Sequence, residues 1–190
     1  MSNADWLVGE DRRAVGAERI YEAAAELISR DGLDAFDLDA LAARVHCSRA
    51  TIYRHTGGKT AIRDAVIARA ATRIVDAVRE TVAGLTGPDR VLTAISAALA
   101  QIRSDPLSRL LTATVHATSA TTQLTDSPVL TSLASDLTGL TGEEHIAAEW
   151  IVRVVLSLLS WPGHDAQAEQ HMLQEFVAPA FTQPTRRPGR

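Results

Sequence analysis

Residues 48–59, with the sequence SRATIYRHTGGK, combine three cations with hydroxyl groups and a double glycine, and Ile52 is their one plainly apolar side chain. The cations are Arg49, Arg54 and Lys59. Guanidinium, ammonium and hydroxyl groups donate hydrogen bonds to anionic oxygens such as those of phosphate. The composition therefore predicts a short helix that touches an anionic partner, and the alternative is an amphipathic helix with a solvated polar face.

The charge of the chain is unevenly distributed. The net charge of −4 and the pI of about 5.8, taken as averages, argue against a nucleic-acid partner. However, residues 44–63 hold five basic residues and no acidic one, whereas the segment between Arg109 and Arg153 holds five acids and no Lys or Arg. The region around residues 48–59 is thus locally cationic.

The apolar periodicity around this stretch predicts three helices. The first spans about residues 14–30, and the second starts behind Asp37, which is an N-cap candidate. Ser48 is predicted to cap a third short helix that ends at Gly57 and Gly58. The second and third helices, joined by a tight turn, have the dimensions of a helix-turn-helix, whose second helix lies in the DNA major groove.

The rest of the chain also shows helical periodicity, and no alternating pattern indicates a strand of convincing length. Helices are predicted over residues 60–83, 88–103, 106–119, after Ser127 and Pro128, and over 143–160 and 166–181. The last residues, 183–190, are predicted to be disordered. The fold class is therefore all-α.

Residues 19–67 resemble the DNA-binding domain of the TetR family of transcriptional regulators. The resemblance is carried by AAAEL in the first helix with a glycine after it, by LAARV in the second helix, and by the pattern S-x-x-T-I-Y-R-H in the third. A lysine follows four residues after that histidine. It implies a helix-turn-helix domain at residues 12–60 and an effector-binding and dimerisation domain at 61–182. The DNA contacts that it implies are Arg44, Ser48, Arg49, Ala50, Thr51, Tyr53, Arg54, His55 and Lys59.

Three features depart from the pattern of the family. The turn is Val45-His46-Cys47 where the family usually has a small residue, Gly and Val, and Thr56 replaces a common aromatic. Asp37 stands where the family often has Thr or Ser. An aspartate caps a helix well but repels phosphate, so Asp37 is left out of the predicted contacts. By resemblance, Arg49, Ala50 and Thr51 face bases, and Tyr53, His55 and Lys59 face phosphates.

The resemblance further implies a homodimer on a palindromic operator, acting as a repressor that a small ligand releases. Helix 143–160 is apolar almost all round, so it must be covered on more than one side. Together with helix 166–181 it is predicted to form half of a four-helix interface, and the alternative is burial within its own domain. The predicted interface residues are Trp150, Val154, Val155, Leu158 and Phe176.

The effector is predicted to be small and hydrophobic. The region before helix 143–160 mixes apolar and hydroxyl side chains with almost no charge, so a charged ligand would lack a partner there. The predicted lining residues are Leu110, Leu111, Thr114, His116 and Trp150. The alternative is that the Ser and Thr residues of this region merely cap helices and populate loops.

Other classes of protein find little support in the sequence. A lone cysteine, Cys47, forms no intrachain disulfide, and neither a signal peptide nor a membrane-spanning run is present, so a cytoplasmic location is expected. No cofactor or metal site is expected, because no two histidines have the spacing of a helix-borne site. An all-α enzyme or metal-binding bundle and a ligand-independent architectural DNA binder remain as alternatives.

Overall fold

The structure is a computed structural model that describes residues 5–105, 107, 127–140 and 145–182, with side chains from residue 15 onward. These residues form helices and turns and contain no strand, which confirms the all-α prediction. The chain divides into two compact units, Met1–Ala71 and Thr72–Arg190. The functional domains predicted at 12–60 and 61–182 stay predictions. The predicted helix at 106–119 and the tail at 183–190 lie outside the described residues.

The first unit contains α1 (Asp5–Asp31), α2 (Leu38–Val45), α3 (Arg49–Thr56) and the start of α4 (Lys59–Thr81). Helices α1, α2 and α3 pack against one another. Their apolar stripes meet in a core that includes Ile20, Ala24, Ile28, Phe36, Leu41, Ile52 and Ile62. The first helix begins earlier than the periodicity predicted and ends, as predicted, before Gly32, whose φ is +91°.

Local capping fixes the ends of α2 and α3. The Asp37 carboxylate accepts hydrogen bonds from the backbone N–H groups of Asp39 at 3.0 Å and Ala40 at 3.2 Å. Ser48 Oγ accepts from Thr51 N at 3.1 Å, so both predicted N-caps are present. His46 ends α2 in the left-handed region with φ of +53°, a conformation that histidine adopts more readily than most residues with a Cβ.

The second unit contains α5 (Gly87–Ser104), α6 (Pro128–Thr138), α7 (His145–Ser160) and α8 (Ala166–Met172). A π-helical turn, Leu173–Val177, continues α8 directly into α9 (Ala178–Thr182). Helix α6 packs on α7, both pack on α5, and α9 packs on α5 as well. In the part of the chain that the structure describes, no helix is long and apolar enough to cross a membrane.

Candidate nucleic-acid interface and effector cavity

Helix α3 has one buried side and one exposed side. Ile52 and Thr56 are buried in the first unit, whereas the side chains of Arg49, Ala50, Tyr53 and Arg54 are exposed. Because these four residues follow the spacing i, i+1, i+4 and i+5, they share one face of the helix. The Thr56 hydroxyl donates to Ile52 O at 2.8 Å, which satisfies this polar group where an aromatic side chain is more usual. The exposed face presents two guanidinium groups and a phenol to solvent.

Two predicted contact residues are ion-paired with acids of the same unit. Arg44, in the last turn of α2, pairs with Glu26 of α1. Arg49 Nη1 donates to Asp39 Oδ2 at 3.2 Å, which joins the first turns of α3 and α2. Neither acid was predictable from local sequence patterns, because Glu26 and Asp39 are distant in sequence from the arginines they contact.

Ser48 and Thr51 bond to each other at the start of α3. Ser48 Oγ lies 2.9 Å from Thr51 Oγ1, in addition to capping the helix. The Cys47 thiol donates to Ser48 O at 3.7 Å. These bonds stabilise the first turn of α3. Ser48 is therefore exposed and at the same time stabilises the start of the helix.

The Tyr53 ring lies over Gly58. A Cβ added at Gly58 would stand 2.5 Å from Tyr53 Cε1, so the ring would have to move to make room for it. Gly58 also has φ of +102°, a region that residues with a Cβ rarely adopt. The second glycine of the double glycine is thus a platform for Tyr53, which is 51% exposed. Lys59 follows directly as the exposed first residue of α4.

A cavity of about 180 Å³ lies inside the second unit, between α4, α5, α6 and α7. Its described walls are aliphatic apart from Thr138, whose hydroxyl donates to Ala134 O of the same helix at 2.5 Å. The wall residues include Val78, Ile95, Ala98, Leu133, Ile151, Val155 and Leu156. The described part of the cavity therefore offers an apolar ligand surface to pack on and no charged side chain.

Comparison with known proteins identifies the first unit. Residues 20–66 match the sequence profile described as bacterial regulatory proteins, tetR family. The chain is also 29% identical over 188 residues to an uncharacterized HTH-type transcriptional regulator of Mycobacterium tuberculosis, strain CDC 1551 / Oshkosh, covering 96% of this chain and 93% of that one. A regulator of strain ATCC 25618 / H37Rv matches to the same extent. Residues 20–66 therefore form a DNA-binding domain of the TetR type.

Solved structures of the TetR family share the fold. The repressor AlkX from Dietzia sp. strain DQ12-45-1b, which is implicated in biodegradation of n-alkanes, is 22% identical with a TM-score of 0.53, covering 86% of this chain and 93% of AlkX. A TetR-like regulator from Rhodococcus sp. RHA1 is 18% identical with a TM-score of 0.57, covering 90% of this chain and 98% of that one. These likenesses confirm the fold.

The chain is therefore a transcriptional regulator with a DNA-binding helix-turn-helix of the TetR type. Because the relatives are regulators, the alternative of an all-α enzyme is removed. Within the described residues no three His, Cys, Asp or Glu side chains gather where they could hold a metal ion. The individual DNA contacts stay predictions carried over from the family.

His55 is placed differently from the other predicted contacts. Its side chain is half-buried, its ring lies against Gly16 of α1, and Nδ1 is buried without a hydrogen-bond partner among the described residues. The predicted phosphate contact would therefore have to use Nε2. This orientation could not be predicted from the sequence, because the residue type is the same whether the histidine side chain is exposed or half-buried.

The predicted dimer residues fall on two different surfaces of the second unit. Trp150 is 37% exposed and stacks on Phe181 of α9 with ring centroids 6.1 Å apart, and Phe176 is 73% exposed. Val154 and Leu158 are half-buried against the core. Val155, in contrast, lines the cavity, and Trp150, which was also predicted to line an effector site, is absent from the cavity's described walls. The other predicted effector residues, Leu110, Leu111, Thr114 and His116, lie outside the described residues.

The platform under Tyr53 leads to a first prediction. Replacing Gly58 with alanine is expected to lower the free energy of unfolding by about 1–3 kcal/mol because of the positive φ, and to displace the Tyr53 ring. Gly32→Ala is the matched control, since Gly32 has a φ of +91° but open space around its Cβ position. Thermal unfolding should show a loss in both variants, whereas DNA affinity should fall in Gly58→Ala alone. Equal DNA affinities in the two variants would contradict the platform role.

Proposed function

We propose that the chain is a cytoplasmic repressor that binds a palindromic operator as a homodimer and is released by a small, uncharged, hydrophobic effector. The observation that carries the proposal is the exposed cationic face of α3 on a TetR-type domain. The apolar cavity in the second unit of the same chain supports the ligand response. The cavity also disfavours a purely architectural DNA binder, which has no need of one.

Contacts with DNA divide between bases and phosphates. Arg49 is the predicted base reader, because an arginine can donate two hydrogen bonds to O6 and N7 of guanine. Ala50, which is exposed next to it, leaves room for close approach to the bases. Tyr53 and Lys59, which stand on either side of Gly58 in the chain, are both exposed. Each carries a donor for phosphate oxygens. Release follows if the effector binds more tightly to the state with lower DNA affinity.

Three substitutions test the DNA-binding part of the proposal. Lys59→Ala and Tyr53→Phe are expected to weaken binding to specific and random DNA alike, because phosphates carry no sequence information, and Lys59→Ala should also flatten the salt dependence. Arg49→Ala should cost about 1–3 kcal/mol on the specific site alone. Binding is measured on DNA flanking the coding region of the protein and on a scrambled duplex. Folded variants that bind both duplexes as the parent does would refute the proposed interface.

The charge of the effector can be tested with two probes of equal chain length. A cavity with aliphatic described walls is expected to bind 1-octanol and to reject octanoate, because a buried carboxylate would lack a partner. Tryptophan fluorescence reports binding, and release of labelled DNA reports the response. Release by octanoate and no response to octanol would contradict the assigned effector class.

Filling the cavity should block the response and spare DNA binding. Ala98 lines the cavity on α5, so Ala98→Phe places a phenyl ring where the ligand would lie. Each CH₂ group excluded from the cavity removes about 0.8 kcal/mol of binding free energy, so an affinity loss of about tenfold or more is expected. Ala100→Phe on the exposed side of α5 is the matched control. Unchanged octanol binding in Ala98→Phe would show that the effector site lies elsewhere.

A further inference from the structure

Asp39 is the acidic residue that contacts the predicted base reader. It lies in the first turn of α2, two residues after the N-cap Asp37, and Arg49 is the first residue of α3. The bond joins Arg49 Nη1 to Asp39 Oδ2 at 3.2 Å, and the two side chains are 55% and 64% exposed. An ion pair this exposed adds little to the stability of the fold in water. We therefore consider its effect on DNA binding by Arg49.

The geometry leaves Arg49 able to read a base while it is held by Asp39. A guanidinium group carries five N–H donors, and the bond to Asp39 engages Nη1. The donors on Nη2 and Nε are not used by this bond, and two adjacent donors are what a guanine edge requires. A carboxylate that fixes one corner of the guanidinium restricts the rotamers of a long side chain before it meets DNA, which lowers the entropic cost of binding in that one orientation.

The charge of Asp39 acts in the same direction. A carboxylate next to Arg49 offsets the positive charge that this arginine would otherwise offer to any phosphate, and it repels the DNA backbone itself. Affinity for random DNA is therefore lowered, whereas the guanine contact is retained. Arg44 is likewise paired with Glu26, so an acid partly compensates both of these exposed arginines.

From this juxtaposition we infer that Asp39 is a specificity-determining residue, which orients Arg49 toward a base edge and suppresses its use as a phosphate contact. The inference rests on the proposed function, because it requires that Arg49 face bases. Asp39 itself is a positioning residue and touches no DNA.

The test compares binding to a selected and a random sequence. The full-length protein first selects its preferred sequence from a pool of randomised 30-base-pair duplexes, a length chosen to span about three turns of DNA. Dissociation constants are then measured for the selected duplex and a scrambled one, with Asp39→Ala, Asp39→Asn and Arg49→Ala, and with the double variant Asp39→Ala/Arg49→Ala. Asp34→Ala is the matched control, since it removes the same charge from the exposed turn before α2.

Asp39→Ala is expected to tighten binding to the scrambled duplex and to reduce discrimination between the two duplexes by about tenfold. Asp39→Asn should give an intermediate loss, because its amide oxygen still accepts a hydrogen bond from Arg49. In the Arg49→Ala background, Asp39→Ala should no longer change the discrimination. An equal change in both dissociation constants, as in Asp34→Ala, or an effect that persists without Arg49, would overturn the inference. Enrichment of no sequence by the parent protein would instead refute the proposed function.

Discussion

Glu169→Ala is expected to lower the free energy of unfolding by about 1–3 kcal/mol, because it removes a buried acceptor from an ion pair whose arginine keeps partial access to water. The Glu169 side chain is 7% exposed, and its two oxygens accept from Arg103 Nη1 at 2.7 Å and Nη2 at 2.8 Å. One of these oxygens also accepts from Gly163 N at 2.8 Å, while Arg103 Nη2 donates to Leu158 O. The pair thus ties α5 to the end of α7 and to the turn before α8.

The size of the effect follows from what the substitution leaves behind. Without the carboxylate, the Arg103 guanidinium and the Gly163 N–H both lose an acceptor inside a turn that alanine cannot fill. Glu175→Ala is the matched control, because it removes the same charge from an exposed position of the following π-helical turn. Urea denaturation should show a large loss in Glu169→Ala and a change within about 0.5 kcal/mol in Glu175→Ala. Similar midpoints in the two variants would contradict the structural role of the pair.

The same pair gives a pH dependence with a defined sign. The Arg103 guanidinium, helped by the Gly163 N–H, lowers the pKa of the Glu169 carboxyl although burial acts in the opposite direction. A carboxyl whose pKa is lower when folded adds stability above its unfolded pKa of about 4.3, and this stability is lost as the pH falls through the folded pKa. The stability difference between the parent and Glu169→Gln should therefore shrink on acidification. A difference that is constant down to acidic pH would contradict the role of the charge.

Local sequence patterns predicted the helices because the interactions that begin and end a helix are local. Asp37 and Ser48 marked helix starts through cap chemistry, and Gly57 marked a helix end through its positive φ. The contacts that orient the functional side chains were not predictable in this way. The pairs Arg49–Asp39 and Arg103–Glu169 join residues 10 and 66 positions apart, and no periodicity encodes them.

Periodicity also failed to predict which residues of α7 face outward. Helix α7 is apolar on nearly all sides, so its sequence cannot tell which apolar residue faces the core, a cavity or another copy of the chain. The structure separates them, because Val155 lines the cavity, Ile151 is buried in the core, and Trp150 stands on the outer side. Sequence alone could identify the helix as an interface candidate but not its outward stripe.

Large apolar side chains stand in solvent on α7, just after its end, and on the π-helical turn after α8. Ile146 and Trp161 of the α7 region are 79% and 77% exposed, and Phe176 after α8 is 73% exposed. Single exposed apolar residues are common, but several on one helix pair are typical of a surface that another chain covers. In the proposed two-fold dimer each of these residues would face the partner's copy of the same surface.

Phe176→Asp is therefore expected to convert the dimer into a folded monomer. In a symmetric interface the substitution introduces two carboxylates, one from each chain, and burying them without partners costs several kcal/mol. Val129→Asp is the matched control, because Val129 is also 73% exposed but lies on α6. Circular dichroism and thermal unfolding should be the same in both variants, since neither side chain belongs to the core of its own chain.

Sedimentation velocity at micromolar concentration should then give a monomer for Phe176→Asp and a dimer for Val129→Asp. DNA affinity should fall with the dimer, because two linked heads gain about 10²–10⁴-fold over one head from effective concentration alone. A monomeric Phe176→Asp with parental affinity for DNA would mean that a single head accounts for binding and that the operator need not be palindromic. A dimeric Phe176→Asp would place the interface on a different surface of the second unit.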